Sequence, residues 1–250
     1  MIPADARFWG EQIVQAYAEA DGTVIVVPEG WTMVSRLNVT ERALFWTEHS
    51  LIGFILNHPV KGDAVVLRGT INIFDWIADL AAIVNLDGIC IGFDSVYAGI
   101  TLDGGTPLGD WLDTRQALLI GFYGHSMGAS VATIGAKRSL AANGVKPRLL
   151  TFASPRTLDI LRADALASDL TPDSCRIANL HDLVPDEPPP LILRHVLNAQ
   201  YVDSASIPTI GTSIVDRHQM ATYLQLLPPD PVTAVQSPDV LGSNSRPGAS

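Results

Sequence analysis

Apolar positions recur at helical spacing over residues 4–20, where Phe8, Ile13, Ala16, Tyr17 and Ala20 share one side, and this predicts a first helix. A β-branched run over 23–27 ends at Pro28 and reads as a strand, with 31–39 a candidate second strand. Residues 40–48 return to a helical pattern. The apolar runs 53–56 and 64–67 flank the turn-rich Asn57-His-Pro-Val-Lys-Gly-Asp63 and predict two paired strands. Asn72 then caps an amphipathic helix, with Ile73, Ile77, Leu80 and Val84 on one side and Asn72, Asp75 and Asp79 on the other.

The Gly-rich stretch 99–110 reads as loop, and 111–116 as the end of a helix. The apolar run 117–123 reads as a buried strand, followed by a helix over 127–143 that Gly144 stops. Further strands are expected at 148–153, 175–180 and 199–203, with a helix near 159–167. A last helix over 216–227 is closed by Pro228-Pro229. Strands that alternate with helices imply an α/β fold with a mostly parallel central sheet and helices on both faces. Composition turns to Pro, Ser, Gly and Asp from residue 228, so 1–227 reads as one catalytic domain and 228–250 as a mobile tail.

Charge narrows the function classes. Only 17% of residues are charged, the formal net charge is -10, and no Lys/Arg cluster is present. Nucleic acid is therefore not an expected partner. The N-terminus lacks a basic region followed by an apolar core, so no Sec-type signal is recognised. No apolar run reaches the roughly 18 residues of a spanning helix. The chain reads as soluble, without transmembrane anchoring and cytoplasmic by default, with export by another route left open. Two cysteines, Cys90 and Cys175, are no disulfide framework, and the burial tendency of Cys favours two buried thiols. The six histidines show neither H-E-x-x-H nor paired Cys/His spacing, so no metal or organic cofactor is expected.

The chemistry concentrates at Gly124-His-Ser-Met-Gly128, a G-x-S-x-G between a predicted strand and an Ala-rich helix. On such a turn the serine hydroxyl stands above the sheet, and the helix N-terminus faces a developing oxyanion. Ser126 is the candidate nucleophile, and it needs a base. Chain order in this architecture is serine, acid, histidine. His218 fits as base, ahead of His195 and His181. Asp182, just beyond the strand 175–180, fits as acid ahead of Asp173, Asp186 and Asp203. Backbone N–H groups of Thr70, in the loop after an earlier strand, and of Met127 are the candidate oxyanion donors.

The sequence resembles the class 3 (fungal-type) lipases, a branch of the α/β-hydrolase fold. Val66-Leu-Arg-Gly-Thr70, Asp75-Trp-Ile-Ala-Asp-Leu80, Val96-Tyr-Ala-Gly-Ile100, the elbow, Phe152-Ala-Ser-Pro-Arg156, His181-Asp-Leu-Val-Pro185 and His218 carry the resemblance, in the family's order. It implies Ser126, Asp182 and His218 as the triad, and Thr70 and Met127 as oxyanion donors. It also implies a lid near 71–84, with Ile73, Phe74, Trp76, Ile77 and Leu80 as lid or substrate-binding residues. The activity implied is hydrolysis of carboxylic esters through an acyl-enzyme, with an ester lipid at an oil–water interface as the expected partner. Phospholipase A1, short-chain or aryl (feruloyl-type) esterase and peptidase activities use the same triad. A silent binding module on this fold would show a broken triad, and every element is present here. Val96-Tyr-Ala-Gly-Ile100 departs from the family's Val-His-x-Gly-Phe, and two cysteines are few for a family often secreted and disulfide-linked.

Overall fold

A computed structural model describes residues 1–39, 50–70, 83–115 and 118–228. The helical pattern at 40–48 and the tail beyond Pro228 fall outside the described residues. So do Ile73, Phe74, Trp76, Ile77 and Leu80 of the expected lid.

Helix α1 (Ala6–Ala20) opens the chain. Strands β1 (Thr32–Val39), β2 (Ser50–His58) and β3 (Gly62–Leu67) follow as an antiparallel meander. Helix α2 (Ile91–Ala98) leads into the short β4 (Ile100–Leu102), which pairs with β1 at the sheet edge. After α3 (Leu108–Asp113), the chain enters β5 (Ile120–His125) and α4 (Met127–Asn143). Then come β6 (Arg148–Phe152), β7 (Leu158–Asp159), α5 (Ile160–Asp169), β8 (Cys175–Asn179), β9 (Leu193–Arg194) and β10 (Ala199–Val202). Two short helices, α6 (Ile214–His218) and α7 (Met220–Leu226), close the described chain.

Eight of these strands form one sheet in the order β10-β8-β6-β5-β3-β2-β1-β4, parallel from β10 to β3. Strands β7 and β9 pair separately. The parallel strands are apolar on both faces, as a sheet covered by helices on each side requires. Val65, Leu67, Phe122 and Leu149 pack on one side with α2, α3, α4 and α5. Ala64, Val66, Tyr123 and Leu150 pack on the other with α1 and α7. Neighbouring residues in each strand thus enter opposite cores, the period-two alternation of a pleated strand.

Small residues let α4 lie close to the sheet. A Cβ on Gly128 would stand 2.4 Å from the Arg68 carbonyl oxygen, and one on Gly135 would stand 2.6 Å from the Phe122 ring. The helix ends where Gly144 adopts φ 68, and its N–H caps the Leu140 carbonyl.

Three expectations need correction, and one helix was not expected. Residues 23–27 form no strand: Val24 and Val26 are exposed, and the Val26 N–H bonds the Gln15 side chain instead of a neighbouring strand. Residues 99–110 hold β4 and the start of α3, so that stretch is not all loop. Helix α2 lies where no helix was expected, its buried Phe93, Val96 and Tyr97 packed in the core. The last helix is two, broken at Gln219, whose ψ of 144° is extended. Among the described residues, no helix is long and apolar enough to cross a membrane.

Candidate active site

The parallel register fixes where the chemistry gathers. Leu67 pairs with Gly124, and His125 pairs with Phe152. The loop after β3, the turn after β5 and the end of β6 therefore lie side by side at the C-terminal edge of the sheet, where ligands of open α/β sheets bind.

Ser126 caps α4 at φ 58, ψ -129, a left-handed backbone held in place by its N–H to the Phe152 carbonyl at 3.0 Å. A non-glycine residue there is strained, and such strain persists only where surrounding structure fixes it. The glycines are needed for that fixing. A Cβ on Gly124 would meet the Gly128 carbonyl oxygen at 2.4 Å, and one on Gly69 would meet Ser126 Cβ at 2.7 Å. The Ser126 side-chain oxygen is buried and has no hydrogen-bond partner among the described residues.

His218 ends α6, which Ser213 and Asp216 begin with a capping box. Its Nδ1 donates to Asp182 Oδ2 at 2.9 Å. A neutral imidazole that donates from Nδ1 keeps its lone pair on Nε2. That Nε2 is also buried and without a partner among the described residues. Asp182 sits beyond the end of β8 with its side chain fully buried. Its other donors are the Tyr223 hydroxyl at 2.8 Å to Oδ2 and the Val184 N–H at 3.0 Å to Oδ1. Three hydrogen-bond donors thus hold this one buried carboxylate in place. Burial, and then the Asp182 charge, pushes the Tyr223 phenol well above its ordinary range, so it remains a proton donor.

Gly69 lies against Ser126, which puts Thr70 in the loop beside the elbow. Met127 is the first residue of α4, so its N–H has no partner within the helix by position. The guanidinium of the fully buried Arg68 donates from Nη1 to the Gly69 carbonyl and from Nε to the Leu51 carbonyl, both at 2.8 Å. Burial lowers its pKa from the ordinary arginine value.

The rival residues stand elsewhere. His195 Nε2 donates to the Pro185 carbonyl at 2.9 Å, and burial followed by the Arg176 charge lowers its pKa to about 3. His181 pairs with Asp203 at 3.0 Å in an exposed position. Asp173 pairs with Arg148, and Asp186 faces Arg156. Among the described residues, no group of three or more His, Cys, Asp or Glu is placed to hold a metal ion.

Three residues absent from the expected site take part in its frame. Tyr223 holds Asp182. His125 lies against His218, with ring centroids 4.7 Å apart, and Tyr17 bonds His125 at 2.8 Å. Burial, and then His218 opposite, holds the His125 pKa well below the usual histidine value, so its ring is neutral. His125 stood within the elbow motif, but Tyr17 and Tyr223 carried no sequence signal beyond aromatic residues on apolar helix faces.

A sheet with a strained serine between strand and helix, and an Asp-paired histidine beside it, defines an α/β-hydrolase. The model of the class 3 lipase family matches residues 64–191, just over half of the chain. The chain belongs to the class 3 lipases, which are serine ester hydrolases. Solved structures agree on the fold. The Rhizomucor miehei lipase in its propeptide complex is 18% identical at TM-score 0.56, over 80% of this chain and 66% of that one, a little under two thirds of its length. Nonglycosylated Yarrowia lipolytica LIP2 lipase is 18% identical at TM-score 0.60, over 79% of this chain and 78% of that one. A triacylglycerol lipase described as having a serine protease triad for its catalytic centre is 17% identical at TM-score 0.58, over 86% and 90%. No curated protein matches the chain by sequence.

Proposed function

We propose that Ser126, His218 and Asp182 form a catalytic triad that hydrolyses carboxylic esters of lipids through an acyl-enzyme. One observation carries the reading. The two atoms that must exchange a proton, Ser126 Oγ and His218 Nε2, are both buried and both without a partner among the described residues. Buried polar atoms are nearly always paired, so two left open beside a strained backbone mark a site built to receive a reacting group. The serine-protease triad named for a solved relative of the same fold supports the same assignment.

In the first step His218 Nε2 takes the Ser126 proton as the oxygen attacks the ester carbonyl. Asp182 steadies the imidazolium through Nδ1. The N–H groups of Thr70 and Met127 receive the oxyanion, each contributing about 3 kcal/mol to the barrier reduction. His218 then protonates the departing alcohol, and water repeats the cycle on the acyl-serine. A lipid acyl chain fits the surroundings: Leu180 and Leu183 flank Asp182 in sequence, Val215 precedes His218, and all three are about half exposed. Ser126→Ala is expected to abolish ester hydrolysis and covalent capture of a fluorophosphonate. Retained hydrolysis in that variant would refute the triad.

A further inference from the structure

Tyr17 belongs to α1, far along the chain from the elbow, yet its hydroxyl stands between two parts of the site. It accepts the Gly69 N–H at 2.8 Å. Its single proton is thereby free for its other partner, His125 Nδ1, also at 2.8 Å. That contact fixes the His125 tautomer: Nδ1 accepts, so Nε2 carries the hydrogen and donates to the His218 carbonyl at 2.8 Å. The carbonyl is available because the helix breaks at Gln219 immediately after it. The result is one run of donors and acceptors, Gly69 N–H to Tyr17 O–H to His125 Nε2–H to His218 C=O.

These links join segments 52, 108 and 93 residues apart, in that order. Gly69 belongs to the loop proposed to hold the oxyanion, His125 adjoins the proposed nucleophile, and His218 is the proposed base. All the bonds of the run point the same way, so each polarises the next. Arg68 Nη1 grips the Gly69 carbonyl, the other end of the peptide unit whose N–H is that of Thr70. Because a peptide is planar, that grip also sets the direction of the Thr70 N–H.

We infer that Tyr17 and His125 are positioning residues: a buried strut that sets the spacing between the oxyanion loop and the base-bearing turn. The inference rests on the triad proposed above. Neutrality of His125 suits the task, since His218 becomes cationic in each turnover and a second cation in ring contact would oppose that charge.

The test is Tyr17→Phe in the full chain, which keeps the ring and removes the hydroxyl. Three quantities are read: kcat and KM on a soluble p-nitrophenyl ester, the inhibition constant of an alkylboronic acid, and the melting temperature. The expected result is a kcat lower by about 10- to 100-fold, the scale of loss when reacting groups are misplaced by about an ångström. KM should stay within roughly twofold. Boronate affinity should fall in step with kcat/KM, because its tetrahedral adduct uses the same oxyanion donors. His125→Phe should act in the same direction, and the double variant should be little worse than the worse single one.

A lower melting temperature with unchanged kcat and boronate affinity would make the bonds ordinary packing and overturn the strut. Losses that multiply in the double variant would overturn it too. If the variants do not fold, nitrogen NMR of the wild-type histidines decides. A neutral His125 protonated on Nε2 is expected at neutral pH, and the opposite tautomer or an imidazolium defeats the proposal. Failure of the triad looks different, since hydrolysis would then survive Ser126→Ala whatever Tyr17 does.

Discussion

The two ends of the parallel strands are built on opposite terms. At the N-terminal ends, polar groups close on each other. Asp63, buried at the start of β3, takes Arg115 Nε at 2.8 Å and Asn57 Nδ2 at 2.7 Å. Arg148 gives both Nη atoms to the two oxygens of Asp5 at 2.6 Å, tying β6 to the front of α1, while Trp9 stacks on Tyr123 at 3.5 Å. At the C-terminal ends, Ser126 and Ala153 sit at φ 58 and 51, and Ser126 Oγ and His218 Nε2 have no partner among the described residues. One end is tied by ion pairs and hydrogen bonds, and the other is held in a strained backbone by its surroundings. The lesson is a division of labour: substitutions at the first end should cost stability, and those at the second should cost rate.

The sharpest contrast is expected from Asp182→Asn. The amide keeps the shape but misdirects the His218 tautomer, so kcat should fall by about 10⁴-fold with little change in melting temperature. Steady-state kinetics beside a thermal melt reads both, and a loss of fold with the loss of rate would blur the division. Arg115→Met should do the reverse. It leaves the buried Asp63 carboxyl without its arginine, costing about 3 kcal/mol in urea unfolding while kcat stays near wild type. A tenfold drop in kcat there would show that the two ends are coupled.

The smallest effect concerns pH. His125 and His195 have folded pKa values below the ordinary 6.5, His195 at about 3, because burial disfavours their charged forms. As pH falls below 6.5, the unfolded chain binds protons that the folded chain refuses, so stability is present above 6.5 and declines below it. The slope approaches about 1.4 kcal/mol per pH unit for each histidine. Urea midpoints taken from neutral to mildly acidic pH should therefore drop, and should drop less in His195→Gln. Equal slopes in both proteins would mean that His195 is not buried neutral.

What could be read from the chain followed the range of the signals. The strand, Gly124–Gly128 and the Ala-rich helix are contiguous, and their small residues answer to contacts within one βα unit. The order of serine, acid and histidine singled out His218, and the strand end just before Asp182 singled out that acid; the fold brings the two to 2.9 Å. Local propensity misled at 23–27, where β-branched residues had no neighbouring strand to pair with. It was silent on β4, three residues long and dependent on β1 for its bonds. The break at Gln219 has no local cause such as Pro or Gly. There the His218 carbonyl leaves the helical pattern and is met by His125. Tyr17 and Tyr223 escaped notice because a hydroxyl's partner across the molecule leaves no periodicity.

The sheet that organises the site also parts the two sulfurs. Cys90 lies in the core on one face and Cys175 in the core on the other, and neither is in a disulfide. Burial raises the pKa of each and leaves little thiolate to react. In the folded protein the sheet keeps the two thiols apart and buried, so they do not pair with each other. Its two thiols become reactive only when the layers separate, and alkylation of either one times the opening of the layer that covers it.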